Sequence, residues 1–213
     1  MHGKDPVKVA ILGGSGKVGH FLIERVSDAG YPMRVLARNP DNINSSNGHM
    51  EIVQGDARDI ACMRSLLQGC DTVLSALRQR KGEAPICNIV TGHVLAAMKE
   101  SGVRRYILAR GFSIDAPGDH KDLRSKLIST GIRWVYHAWW ADWQQELDTL
   151  LRSDVDWTVA RIPILADEPP LGQVRVDLAS PPGKKISGGD IANFVVAQIT
   201  DPTYVRKAPF IGN

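Results

Sequence analysis

The chain has 213 residues, of which 43% are hydrophobic and 23% charged, and its formal charge is +3. That length suits one large domain with its own core, and so small and dispersed a charge gives no argument for a nucleic-acid partner. No apolar run approaches the roughly 18 residues of a membrane span, and Cys62, Cys70 and Cys87 form no CxxC pair or metal spacing, which predicts buried thiols in a reducing compartment.

The opening stretch MHGKDPVKVAILGG carries no secretory pattern, so a cytoplasmic protein is expected. It runs into a first predicted strand, KVAILG (8–13). A helix follows with Val18, Leu22, Val26 and Ala29 on one face, stopping at Gly30. Strands are then predicted at MRVLAR (33–38) and MEIVQGD (50–56). A second helix carries Ile60, Met63, Leu66 and Leu67 before Gly69. After a strand at TVLSAL (72–77) comes a basic run, RQRK (78–81), read as a solvated loop. A helix spans Ile89 to Met98 and ends at Ser101–Gly102. RYILAR (105–110) is the fifth strand, IRWVYHAWWADWQQELDTLL (132–151) a helix, and WTVARIPIL (157–165) the sixth strand. The strands are apolar through their middles, as strands covered on both faces must be. Their alternation with helices predicts an α/β fold with a parallel sheet and helices on both faces.

The first turn carries the clearest chemistry. Its glycines fit two registers, Gly14-x-Gly16-x-x-Gly19 and Gly13-x-x-Gly16-x-x-Gly19. Either permits a tight turn, close approach of a pyrophosphate to the backbone, and close packing of helix on strand. The helix N-terminus then presents N–H groups and a positive dipole end to phosphates. At the end of the second strand, a protein preferring NAD places an acid for the ribose hydroxyls. Here VLARNP puts Arg38 at that place, which can fork onto a 2′-phosphate, and Lys17 adds a second cation. The nucleotide expected is NADP(H), with NAD(H) less favoured.

These residues resemble the atypical short-chain dehydrogenase/reductases, the NAD(P)H-binding group that includes NmrA-like proteins and biliverdin reductase B. GGSGKVG is similar to the family's GxxGxxG turn and LARNP to its NADP-type second strand. VQGDARD resembles the segment in which Asp56 and Ala57 border the adenine. VLSAL resembles the fourth strand, which sets Ala76 and Leu77 near the cofactor. LLRSDVDWTVAR is similar to the late helix and sixth strand, and ISGGDIANFVVAQITDP to the segment opening the last helix with Asp190. The resemblance implies a Rossmann-like doubly wound sheet in one domain, 1–213, with a small substrate lobe at 166–189. The implied cofactor-binding residues are Gly13, Ser15, Gly16, Lys17, Val18, Arg38, Asp56, Ala57, Ala76 and Leu77.

The catalytic half departs from this pattern. Wider-superfamily enzymes use Tyr-x-x-x-Lys, but Tyr136 is followed four residues on by Trp140. The fifth strand ends ILARGFS, so Arg110 displaces one serine and Ser113 lies downstream, and RIPIL stands where Arg-Pro-Gly is usual. Ser113, Tyr136 and His137 are the catalytic candidates, with His137 a possible proton donor. The stretch 132–151 also holds Trp134, Trp139, Trp140 and Trp143. On one helix Tyr136, Trp140, Trp143, Leu147 and Leu150 form a stripe, which predicts core packing together with a homodimer contact through 133–152. Trp139 is expected to reach the pocket and stack a flat substrate. These features together predict an NADP(H)-dependent oxidoreductase for a small, flat, conjugated substrate such as a flavin, quinone or enal. The alternative is a non-catalytic NADP(H) sensor of the NmrA-like kind.

Overall fold

The computed structural model describes residues 6–43, 49–79, 82–166 and 170–213. In chain order the elements are β1 (Val9–Leu12), α1 (Gly19–Asp28), β2 (Met33–Ala37), β3 (Met50–Gln54), α2 (Ile60–Leu67), β4 (Thr72–Ser75), α3 (Cys87–Ser101) and β5 (Arg105–Gly111). They continue with α4 (Leu123–Val135), α5 (His137–Arg152), β6 (Asp156–Ile162), β7 (Ile164–Ala166), β8 (Arg175–Asp177), β9 (Lys185–Ser187), α6 (Gly188–Ala197) and β10 (Phe210–Gly212).

Side chains alternate across a strand, so each apolar strand feeds two cores. Ala10, Leu12, Val73, Tyr106 and Leu108 pack with Met63 and Leu67 of α2, Val90 and Val94 of α3, and Leu147 and Leu150 of α5. Val9, Ile11, Leu74 and Ile107 point the other way, against Leu22 and Val26 of α1 and Ile191 and Val195 of α6. The sheet order is β3-β2-β1-β4-β5-β6-β10-β8, and every pairing is parallel except β8 against β10. This is the doubly wound α/β sheet that the sequence predicts. The order reverses around β1, which lies between β2 and β4. A crevice opens at the carboxyl ends of strands at such a point.

Glycines close the helices where the sequence places the stops: Gly30, Gly69 and Gly102 all have positive φ. Two predicted elements are divided. WTVARIPIL is two strands, because Pro163 has no N–H to donate to a ladder. β6 joins the main sheet, and β7 pairs with β9 in a separate two-stranded sheet. The tryptophan-rich stretch is two helices meeting at Tyr136, whose φ of −117° and ψ of 41° leave the helical region. Tyr136 N–H closes α4 on the Ile132 carbonyl, and its own carbonyl accepts from Trp140 N–H to open α5. Of the predicted stripe, only Leu147 and Leu150 are fully in the core. Cys62 is half-buried, whereas Cys70 and Cys87 are buried, and all three thiols are free.

Two long-range carboxylates fix the ends of helices. Asp142 of α5 accepts from Cys87 N–H at 2.8 Å and Asn88 N–H at 3.1 Å, capping α3 from another helix. Asp190, fully buried, accepts from Leu171 and Gly172 N–H, the Ser187 hydroxyl and Asn213 Nδ2. Burial opposes its charge, but these bonds together hold its carboxyl below the usual carboxylate value. The segment 166–189, read as a small lobe, supplies β8 to the sheet edge and β9 to the small sheet. Among the described residues, no helix is long and apolar enough to cross a membrane.

Candidate functional site

A cavity of about 790 Å³ lies at the carboxyl ends of the parallel strands. Its lining comes from the turn after β1 and the ends of β2, β3, β4, β5 and β6. Gly13, Ser15, Gly16, Lys17, Val18, Arg38, Asp56, Ala57, Ala76 and Leu77, drawn from four separate stretches of the chain, all line it. Such a volume suits a cofactor-sized ligand.

The glycine turn has the geometry of the Gly13-x-x-Gly16-x-x-Gly19 register. Gly13 has φ +82°, and a Cβ there would lie 2.6 Å from the Leu77 backbone nitrogen, so only glycine lets β1 and the end of β4 approach. At Gly19 a Cβ would stand 2.0 Å from the Gly13 carbonyl oxygen, which explains how tightly α1 seats on the turn. At Gly16 the nearest atom to a Cβ is the Gly13 oxygen at 3.2 Å, and the residue otherwise faces open cavity. The turn brings the N-terminus of α1 to the cavity.

Charged side chains gather at the end of the cavity formed by β2 and β3. Arg38 Nη1 donates to Glu83 Oε1 at 3.0 Å. Arg58 holds both oxygens of Asp56, with Nε to Oδ1 at 3.1 Å and Nη2 to Oδ2 at 2.6 Å, and its backbone N–H adds a third bond at 2.9 Å. Those bonds from Arg58 overcome a modest burial penalty and hold the Asp56 carboxyl at about 2. Asp56 is therefore an anion at neutral pH.

The opposite end is apolar and walled by Ile86, Trp143, Ile162, Pro163 and Leu165. Its floor carries a buried ion pair. Arg110 on β5 binds both oxygens of Glu146 on α5, through Nε to Oε2 and through Nη2 to Oε1 at 2.6 Å. Arg110 Nη1 also donates to the Leu77 and Ala109 carbonyls at 2.9 and 2.7 Å. Burial works against the guanidinium charge, but Glu146 outweighs it and holds Arg110 protonated. Glu146 accepts in addition from the Thr91 hydroxyl, which is 3.2 Å from the Tyr106 hydroxyl. The arginine in place of a serine thus ties β5, α5, α3 and the β4 end together beneath the cavity.

The three catalytic candidates do not join this lining. Ser113 is buried beyond the end of β5, and its carbonyl accepts from Trp140 Nε1 at 3.1 Å. Tyr136 is 50% exposed and stacks on Trp139, and His137 is exposed. The helix break at Tyr136 turns both outward. Trp139 likewise does not reach the cavity; Trp143 does, one turn further along α5. Trp140 packs beneath the Arg133 guanidinium, 4.1 Å from its ring centre. Trp140 and Trp143 are half-buried, and among the described residues the exposed large apolar side chains of α4 are Leu123, Leu127, Ile128, Trp134 and Val135.

Arg58, Glu83 and Arg110 line the cavity and are not among the candidates of the sequence reading. Arg58 directly follows the recognised Asp56–Ala57 pair. Nothing local points to the pairings of Glu83 and Arg110, because their partners lie 45 and 36 residues away. Of the basic run at 78–81, Arg78 lines the cavity and Gln79 is buried, while residues 80 and 81 lie outside the described residues.

The sequence profile of a family described as NAD(P)H-binding matches residues 13–202. A (4-alkanoyl-5-oxo-2,5-dihydrofuran-3-yl)methyl phosphate reductase from Streptomyces griseus is 37% identical over 136 residues, covering 60% of this chain and 45% of that protein. The chain thus spans less than half the length of that relative. Among solved structures, ChuY, an anaerobillin reductase from Escherichia coli O157:H7, superposes with a TM-score of 0.80 at 15% identity, covering 96% of each chain. A short-chain dehydrogenase/reductase from Veillonella parvula in complex with NADP has a TM-score of 0.79 at 14% identity, covering 97% of this chain and 94% of that one.

Proposed function

Because this chain belongs to the NAD(P)H-binding family, in keeping with the atypical short-chain dehydrogenase/reductases that its motifs resemble, we propose that it is an NADP(H)-dependent oxidoreductase for a small, flat, conjugated substrate. The observation that carries the nucleotide preference is Arg38, a cation lining the cavity at the end of β2, where an NAD-type site has an acid. The residues present fit the dinucleotide. Gly13, Gly16 and Gly19 shape a turn in which side chains would collide or fill the cavity, and Lys17, Arg38 and Arg58 supply positive charge along its lining. In this reading Gly13, Ser15, Gly16, Lys17 and Val18 hold the pyrophosphate, Arg38 takes the 2′-phosphate, and Asp56 and Ala57 border the adenine. Ala76 and Leu77 support the nicotinamide half.

NADP(H) supplies a hydride or accepts one at its nicotinamide. The chain's own part is to bind, to orient, and to shield the acceptor from water. Trp143, Ile162 and Leu165 form an apolar wall suited to a flat ring system. Among the described residues lining the cavity there is no tyrosine or histidine. With neither to hand over a proton, the reduced acceptor takes its proton from the solvent on release or from its own acidic groups, which favours conjugated acceptors whose reduced form is a stabilised anion. The named substrate of the Streptomyces relative, a (4-alkanoyl-5-oxo-2,5-dihydrofuran-3-yl)methyl phosphate, carries a conjugated ring of that kind, which supports the reading.

The test is NADPH oxidation, followed by absorbance, against flavins, quinones and enals. Turnover with at least one class is expected. Trp143→Ala should lower that turnover about tenfold or more, equivalent to about 1.4 kcal/mol in the barrier, with NADPH affinity little changed. Tyr136→Phe and His137→Ala should leave turnover unchanged, since neither residue reaches the cavity. The same lack of a tyrosine or histidine favours a second reading, a non-catalytic NADP(H) sensor. NADPH binding without turnover across the panel would select it.

A further inference from the structure

At the β2–β3 end of the cavity two cations face two carboxylates, and Lys17 and Arg78 also line the cavity. Arg38 and Arg58 are set against Asp56 and Glu83, and all four line it. A 2′-phosphate is a dianion, so a carboxylate paired with the arginine that takes it opposes its binding. The two acids are paired with different arginines. Asp56 lies two residues past β3 and accepts three bonds from Arg58, one of them from its backbone N–H. Glu83 sits on the loop between β4 and α3, just after Gly82 at φ +85°, and meets Arg38 by a side-chain contact at 3.0 Å. That pair is partly exposed, 41% for Arg38 and 31% for Glu83. Ion pairs of this kind are weak and exchange readily. The charge on Arg58, favoured first by its bonds to Asp56, is also favoured by Glu83, so the field of Glu83 reaches both arginines.

We propose that Glu83 is a specificity-determining residue, whose carboxylate competes with the 2′-phosphate for Arg38 and so limits the preference for the phosphorylated dinucleotide. The inference rests on the assignment of Arg38 to that phosphate. NADPH must displace Glu83 from Arg38, whereas NADH leaves the pair intact. The acid that NAD-type sites carry at the end of the second strand is here supplied from the loop after the fourth, facing the arginine.

The experiment is titration of wild type, Glu83→Gln, Arg38→Ala and the double variant with NADPH and with NADH at one ionic strength. Glu83→Gln should raise the ratio of NADPH to NADH affinity about tenfold, with NADH affinity held within about twofold. In the Arg38→Ala background the same change should raise the ratio clearly less than in the wild type, since only direct repulsion of the phosphate and the weaker effect through Arg58 remain. The gain in the single variant should shrink at high salt, as a partly exposed charge effect does. If Arg38→Ala lowers the ratio and Glu83→Gln leaves it unchanged, the role of Glu83 is overturned and that of Arg38 stands. Equal changes in both affinities would mark Glu83 as merely structural and overturn the proposal too. If Arg38→Ala leaves the ratio unchanged, the 2′-phosphate assignment fails, and this proposal with it.

Discussion

Arg110→Met should lose about 3–5 kcal/mol of folding stability, the usual cost of stranding one member of a buried ion pair. The partner left behind is Glu146, 1% exposed, whose remaining side-chain bond is the one from the Thr91 hydroxyl. Two carbonyl bonds, to Leu77 and Ala109, go as well. Urea denaturation monitored by circular dichroism measures the loss. Replacing both partners, Arg110→Met with Glu146→Leu, should recover most of it, because two apolar side chains of similar length leave no buried charge. A single variant as stable as wild type would show that the pair does not hold β5 to α5. A double variant as unstable as the single one would assign the loss to the carbonyl bonds instead.

Gly16→Val should separate binding from folding. A Cβ at Gly16 meets the Gly13 oxygen at 3.2 Å and otherwise faces the cavity, so the sheet and α1 have little reason to shift. The branched side chain would stand in the glycine turn beside the N-terminus of α1, in the space assigned to the pyrophosphate. NADPH affinity should fall about 100-fold or more, equivalent to about 2.7 kcal/mol, with an unfolding midpoint near that of wild type. Gly19→Ala makes the contrast. Its Cβ would stand 2.0 Å from the Gly13 oxygen and 2.6 Å from the Gly14 oxygen, so the cost should appear first in stability. A folded Gly16→Val protein that keeps its NADPH affinity would contradict the phosphate assignment.

The class of fold is legible because its signals are local. Apolar runs of strand length mark the strands, and Gly30, Gly69 and Gly102 mark where three helices stop, each with the positive φ that glycine tolerates. The glycine turn is legible for the same reason, although its register is settled only in three dimensions, by the positive φ of Gly13 and by what a Cβ there would strike. Periodicity misleads over 132–151. The apolar spacing runs on through Tyr136, but spacing alone does not show that the backbone turns there and that Trp134 is left 85% exposed. The polar tie beneath the cavity is hidden for a different reason. Arg110 meets Glu146 across 36 residues and Asp142 caps α3 across 55, so neither carries a short-range pattern. Arg110 reads as a departure from a serine-bearing strand end, and only the folded chain shows it as a strut.

The central claim is that this cavity takes a dinucleotide bearing a 2′-phosphate, recognised by Arg38. Equilibrium titration of the wild-type protein with NADPH and with NADH, followed by quenching of tryptophan fluorescence, tests it most directly. The prediction is that NADPH binds at least about tenfold more tightly, a difference of about 1.4 kcal/mol, with Trp143 at the cavity wall reporting the event. Tighter binding of NADH, or no binding of either nucleotide, would contradict it.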